Sequence, residues 1–244
     1  ADQSTNQSSR IVLYIAMLVM LLSGTGNTIF SKLQIEIIDD NGNRYKHPYL
    51  QSITVFTAGS LGYLMYIIYK IIMIRKYGSV EQSPDCKKAI NEGKKPYLHW
   101  IWLAIPAFGD FMAIPLMSLG LVLVNASIYQ MMRGGLIFVT AISSIIFLKA
   151  RLHRHHWTAL VFIIGGVTLV GLSSILQDNG DNSNAVLGIS LLLISQFFSA
   201  AHWIIEEKYL TTYYIHPFRM VGLEGLWNLF FSAIMVTGAQ FIKC

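Results

Sequence analysis

The sequence predicts an all-α fold, a polytopic membrane helix bundle of about seven transmembrane helices, and three observations predict it. Hydrophobic residues make up 54% of the 244 residues and charged residues only 13%, whereas soluble domains carry about a quarter charged. Mean hydropathy is +0.51. The chain also holds seven apolar stretches, each near the ~20 residues that cross a bilayer core, so roughly 140–160 residues lie in hydrocarbon.

The first stretch runs from Ile11 to about Leu33 and follows a polar tail, residues 1–10. It is too long for a signal-peptide core and lacks a small-residue exit, so it reads as a retained span. The second runs from Leu50 to Ile74, after the polar loop QIEIIDDNGNRYKHPY. A longer basic loop leads to the third, Leu98 to about Gly120, and a tight turn joins this to the fourth, Asn125 to Leu148. Spans three and four are therefore antiparallel neighbours. The fifth covers Trp157 to Gln177, the sixth Ala185 to about Ile205 and the seventh Pro217 to about Ile242.

Loop charges orient the bundle, because Lys and Arg collect on the cytoplasmic or equivalent side. The N-terminal side carries Arg10, the six bases after span two (Arg75, Lys76, Lys87, Lys88, Lys94, Lys95), then Lys149, Arg151, Arg154 and Lys208. The other side carries only Lys32, Arg44, Lys46 and Lys243, offset by Glu36, Asp39 and Asp40. The N-terminus is thus expected inside. Topology accounts for the net charge of +5, so lipid, and not nucleic acid, is the expected surrounding. Cys86 and Cys244 form neither a disulfide framework nor a paired-Cys metal pattern.

A short repeat links the two ends of the chain. SGTGNTIFSK at the end of span one and SAAHWIIEEK at the end of span six each place a serine nine residues before a lysine, Ser23 to Lys32 and Ser199 to Lys208. His47-Pro48 and His216-Pro217 then open the next spans. Proline suits any first helical turn, which is the plain alternative. If the repeat is real, spans one and six are five spans apart, an odd number, so its copies are inverted, an architecture recurrent in secondary transporters.

Ionisable residues inside spans are costly and tend to face a bundle interior, a cavity or a partner. Asp110 lies between Pro106 and Pro115 in IPAFGDFMAIP, where each proline can release a backbone carbonyl. A pathway or gating role and a plain ion pair are both open for it. In span four Tyr129, Arg133, Thr140 and Ser144 fall near one helical face. Arg133 keeps its charge and needs an acid, carbonyls, water or an anionic substrate group; contact with a substrate carboxylate or phosphate and pairing with Asp110 or Glu224 are both open. Gly134 and Gly135 would admit a neighbouring helix. In span six Ser195, Ser199, His202 and Glu206 form a stripe suited to a polar cavity. An interhelical hydrogen bond for His202 and a solvated helix end for Glu206 and Glu207 are the ordinary expectations. Glu224 and Asn228 are i, i+4 neighbours in span seven, and Glu224, flanked by Gly222 and Gly225, is a candidate for proton coupling.

Other signals point nowhere. RLHRHH, with His153, His155 and His156, reads as a basic interfacial loop, and the sequon at Asn125 sits in a membrane-level turn. No Walker A loop, nucleophile elbow or HExxH motif occurs. The expectation is no enzyme, no metal site and no cofactor.

SGTGNTIFSKL, HPYLQ, NASIYQMMRGGLIFVTAISSIIFLKARL and EEKYLTTYYIHPFRMVGLEG together resemble the drug/metabolite transporter superfamily, and most nearly solute carrier family 35, subfamily F, with its chloroquine-resistance-transporter-like relatives. The resemblance runs from span one to span seven. It implies a fold of ten helices in two inverted five-helix repeats that moves a small organic solute by alternating access. Residues 11–177 would be the first repeat, 178–184 a loop and 185–244 the first two helices of the second. Gln130, Arg133, Glu206, Glu207, Arg219 and Glu224 occupy the family-like motifs. The pattern would continue for three more helices, so the sequence reads as a fragment, a shortened homologue or a subunit completed by other membrane subunits. Two functions follow: a solute transporter, with Asp110, Tyr129, Gln130, Arg133, Ser199, His202, Glu206, Glu224 and Asn228 as binding or gating candidates, or a transport-inactive accessory subunit. The resemblance implies an intracellular organelle membrane, endolysosomal or mitochondrial.

Overall fold

The computed structural model describes residues 2–36, 48–79, 82, 84–96, 98–148, 153–177 and 182–241. The expected loop residues Asp39, Asp40, Arg44, Lys46 and His47, with Lys149, Arg151, Lys243 and Cys244, lie outside these.

Among the described residues, seven helical spans are long and apolar enough to cross a membrane, and they coincide with the seven stretches read from sequence. Helix α1 is Asp2–Glu36, beginning before the apolar run because no Gly or Pro interrupts residues 2–10. Helix α2, Pro48–Tyr77, opens on proline at the first helical position and stops at Gly78, whose φ of 81° only glycine adopts easily. The basic loop then contains an element that hydropathy does not reveal. Helix α3, Pro84–Asn91, is short and amphipathic, and buries Cys86 and Ala89 at i, i+3 spacing. The segment after it closes the end of a distant helix: Lys95 N–H donates to the Thr212 carbonyl and Lys94 Nζ to that of Leu210, each at 2.9 Å.

Span three is a 3-10 turn, Trp100–Leu103, running into α4, Ala104–Leu123. Pro106 lies in the first turn of α4, where a missing N–H costs nothing. Pro115 is the interior proline and removes the donor for the Phe111 carbonyl. Span four is two helices, α5 (Ala126–Arg133) and α6 (Gly135–Leu148). The remaining spans are α7 (Arg154–Gln177), α8 (Asn182–Thr212) and α9 (Pro217–Phe241). Helix α8 continues seven residues beyond the Ile205 boundary expected from hydropathy.

The most extensive packing joins α4 to α8 and α2 to α9, and α4 also meets α9 and α2. These four helices form the polar centre, while α1, α6 and α7 flank it. The outer faces of α1 and α7 expose Met20, Phe30, Phe162 and Leu169, as lipid contact requires. Helices α2 and α9 cross at Gly59 and Gly62 against Gly222 and Gly225, where an added Cβ at Gly222 would lie 2.3 Å from Tyr63 N. Small residues at such a crossing let the two backbones approach closely.

Candidate functional site

Three helices, α4, α8 and α9, each contribute to one buried polar cluster. Gly109 lets α8 approach α4, since a Cβ there would lie 3.3 Å from the Phe198 carbonyl oxygen and 3.4 Å from His202 Cβ. The next residue, Asp110, consequently meets His202, with Oδ1 3.6 Å from Nδ1. The other ring nitrogen of His202, Nε2, lies 3.3 Å from Glu206 Oε2 on its own helix and 3.6 Å from Glu224 Oε2 on α9. Asn228, one turn beyond Glu224, donates from Nδ2 to Asp110 Oδ2 at 3.0 Å. That bond is charge-assisted when the carboxylate is ionised.

These groups line a cavity of about 200 Å³, whose remaining wall includes Val55, Phe56 and Gly59 of α2, Trp203 of α8, and Val221 and Gly225 of α9. Glu224 is only 5% exposed and Asn228 2%. Glu224 Oε1 and Asn228 Oδ1 are buried with no hydrogen-bond partner among the described residues. At the helical rise of 1.5 Å per residue, Glu224 lies about 10 Å from the start of α9 and His202 about 15 Å from the end of α8. The cluster thus belongs to the half of the bundle in which α4 and α9 begin.

Of the nine residues singled out from sequence, Asp110, His202, Glu206, Glu224 and Asn228 converge here. Ser199 is buried one turn away on α8, outside the cavity lining. The solvated end expected for Glu206 is corrected: α8 runs on to Thr212, and Glu206 turns inward to His202 while Glu207 is exposed. The other three lie apart. Tyr129 is buried among Ile35, Leu121, Val124 and Leu192, and Gln130 donates to Thr28 Oγ1 on α1. Arg133 is exposed and pairs with neither Asp110 nor Glu224; its guanidinium lies over the Tyr129 ring, 5.8 Å from the centroid. Among the described residues, the only ion pairs of the three cavity acids are with His202.

Two polar anchors were not foreseen. Gln196 enters the break between α5 and α6, and its Nε2 donates to the Met132 carbonyl at 2.7 Å. Gly135 makes the room, since a Cβ there would lie 2.7 Å from Gln196 Oε1. Gly134 touches only its own turn, with the Met131 carbonyl 3.1 Å away. The Gly-Gly pair was the visible signal. Lys32, counted among loop charges in the sequence, instead donates from Nζ to the Leu121 and Val124 carbonyls, both at 2.8 Å, and so closes the C-terminal end of α4.

Among curated relatives, an uncharacterized protein of Schizosaccharomyces pombe is 34% identical over 92% of this chain and 65% of its own length. Solute carrier family 35 member F6 of Homo sapiens is 28% identical over 92% of the chain and 60% of its own length. The UDP-N-acetylglucosamine/UDP-N-acetylgalactosamine transporter nstp-4 of Caenorhabditis elegans is 32% identical over 45% of the chain and 34% of its own length. The chain thus spans a little under two thirds of the length of the first two. No solved structure matches it. Residues 8–224 match the nucleotide-sugar transporter family, and the chain, an integral multi-pass membrane protein with seven long apolar helices, belongs to that family within the drug/metabolite transporter superfamily.

Proposed function

We propose that the protein moves a small organic solute across its membrane by alternating access, with the cavity between α2, α4, α8 and α9 on the solute's path. One observation carries this reading: three carboxylates, an imidazole and a carboxamide are gathered around a cavity inside a lipid-facing bundle. Burial of such groups in a membrane is expensive and marks substrate or ion pathways. Asp110 and Asn228 tie α4 to α9, and His202 ties α8 to both, so sliding one helix pair past the other must exchange these contacts. Residues 11–177 act as one five-helix repeat and 185–244 as the start of an inverted second. The N-terminus faces the cytoplasmic or equivalent side of an endolysosomal or mitochondrial membrane. Catalysis plays no part in this scheme.

The test is flux through the purified chain in sealed proteoliposomes, using a solute panel that includes nucleotide sugars and neutral and cationic metabolites. Saturable, counterflow-competent uptake that falls at least tenfold in Asp110→Asn or Glu224→Gln is expected. Absence of flux for every solute, with stoichiometric co-purification of other membrane proteins, would overturn it in favour of an accessory subunit.

A further inference from the structure

We propose that His202, Glu206 and Glu224 hold a divalent transition-metal ion, with Asp110 orienting the histidine. The donor geometry carries the assignment. Metal–nitrogen and metal–oxygen bonds of about 2.0–2.1 Å at tetrahedral angles place neighbouring donor atoms about 3.3 Å apart. His202 Nε2 is 3.3 Å from Glu206 Oε2 and 3.6 Å from Glu224 Oε2, and all three donor atoms lie within 4.8 Å of one another. The ion fits between them with side-chain movements of tenths of an ångström. One histidine with two carboxylates is a donor set of the zinc class, and facing side chains on bundle helices are a recurrent way to build one.

A second observation points to a ligand independently of that spacing. Glu224 is almost wholly buried and lines the cavity, yet its Oε1 has no hydrogen-bond partner among the described residues. A buried carboxylate oxygen left so is costly unless something supplies a partner, and a cation on the same carboxylate does. The outer contacts also have the arrangement that metal-bound histidines favour. With Nε2 on the metal, the ring proton is on Nδ1, the nitrogen that faces Asp110, and Asp110 is held by Asn228. Carboxylates in this position fix the tautomer and ring angle of the ligand. Three protein ligands leave a fourth position, the pattern of an open site, here toward the cavity. A dication would also offset charge on three acids whose only ion pairs among the described residues are with His202. His202 and Glu206 are an i, i+4 pair on α8, but Glu224 lies 18 positions further on in another helix, so the sequence shows only two of the three ligands as a pair.

This inference goes beyond the transport reading, and its readout is binding, not flux. The purified, metal-stripped full chain is titrated with Zn²⁺ and, separately, with Co²⁺, whose visible absorption reports coordination by nitrogen and oxygen. One ion per chain is expected, at micromolar affinity or tighter. His202→Ala and Glu224→Gln should each weaken binding more than tenfold, and Asp110→Asn about tenfold, each judged in protein with wild-type helical circular dichroism. Should His202→Ala not fold, Glu206→Gln serves in its place. Replacing His153, His155 and His156 together by Ala should leave the site intact. Failure of folded wild-type protein to bind one ion, or binding that survives Glu224→Gln and Glu206→Gln but vanishes in the triple histidine variant, would overturn the proposal.

Discussion

Replacing Gly222 by alanine tests the geometry on which the cavity depends. The new Cβ would lie 2.3 Å from Tyr63 N and 2.5 Å from Tyr63 Cα. These are backbone atoms, so no side chain can swing aside. Restoring ordinary contact requires α2 to withdraw by about 1 Å, and overpacking of this kind costs about 1–3 kcal/mol. Because the clash is with backbone, the top of that range applies; the better helix propensity of alanine returns at most about 1 kcal/mol, leaving a net loss near 2 kcal/mol. At about 2–4 °C per kcal/mol for a chain of this size, detergent-solubilised Gly222→Ala should melt about 4–8 °C below wild type by circular dichroism. Gly225→Ala should behave alike, since its Cβ would lie 2.4 Å from Ser60 N. On the α2 side of the same crossing, Cβ atoms at Gly59 and Gly62 meet nothing closer than 3.6 Å, so those alanine variants should melt at or slightly above the wild-type temperature. An unchanged midpoint for Gly222→Ala, or an equal drop for Gly59→Ala, would refute this account of the crossing.

Three further outcomes follow from named contacts. Gln196→Leu removes the donor to the Met132 carbonyl and should cost about 1–3 kcal/mol, read as a lower thermal midpoint. Lys32→Met removes both bonds to the end of α4; hydrogen bonds to a charged group are worth about 1.5–3 kcal/mol, so a comparable drop is expected, with partial recovery in Lys32→Arg. Arg133→Gln gives up one exposed cation–π contact and should change stability by less than about 1 kcal/mol. If it abolishes flux while the midpoint holds, Arg133 acts on the solute and not on the fold.

The spans were legible because hydrocarbon demands a long unbroken apolar helix, and composition alone reports that. The site was half legible. Asp110, His202, Glu206, Glu224 and Asn228 each stand out as polar residues in apolar surroundings, and the pairs His202–Glu206 and Glu224–Asn228 follow from i, i+4 spacing. Their convergence does not, because nothing local fixes how α4, α8 and α9 slide and rotate against one another; that register comes from close approaches such as Gly109 on His202 and Gly222 on Tyr63. Arg133 shows the opposite failure. Its distance along the span gives depth but not direction, and the break at Gly134 ends α5 with Arg133 outward. Glu206 was placed at a helix end because charged residues close the hydropathic window early, while the helix continues to Thr212. Short α3 was hidden for a similar reason, since eight residues carrying two lysines and an aspartate register as a polar loop.

The central claim is that the cavity opens alternately to the two sides of the membrane. Val221 lines it, and cysteine at that position, in a chain with Cys86 and Cys244 replaced, can be challenged in sealed vesicles with a membrane-impermeant thiol reagent from each face in turn. The account predicts labelling from both faces, slowed by a transported solute. Labelling from one face only, at the same rate with and without every solute tested, would contradict it.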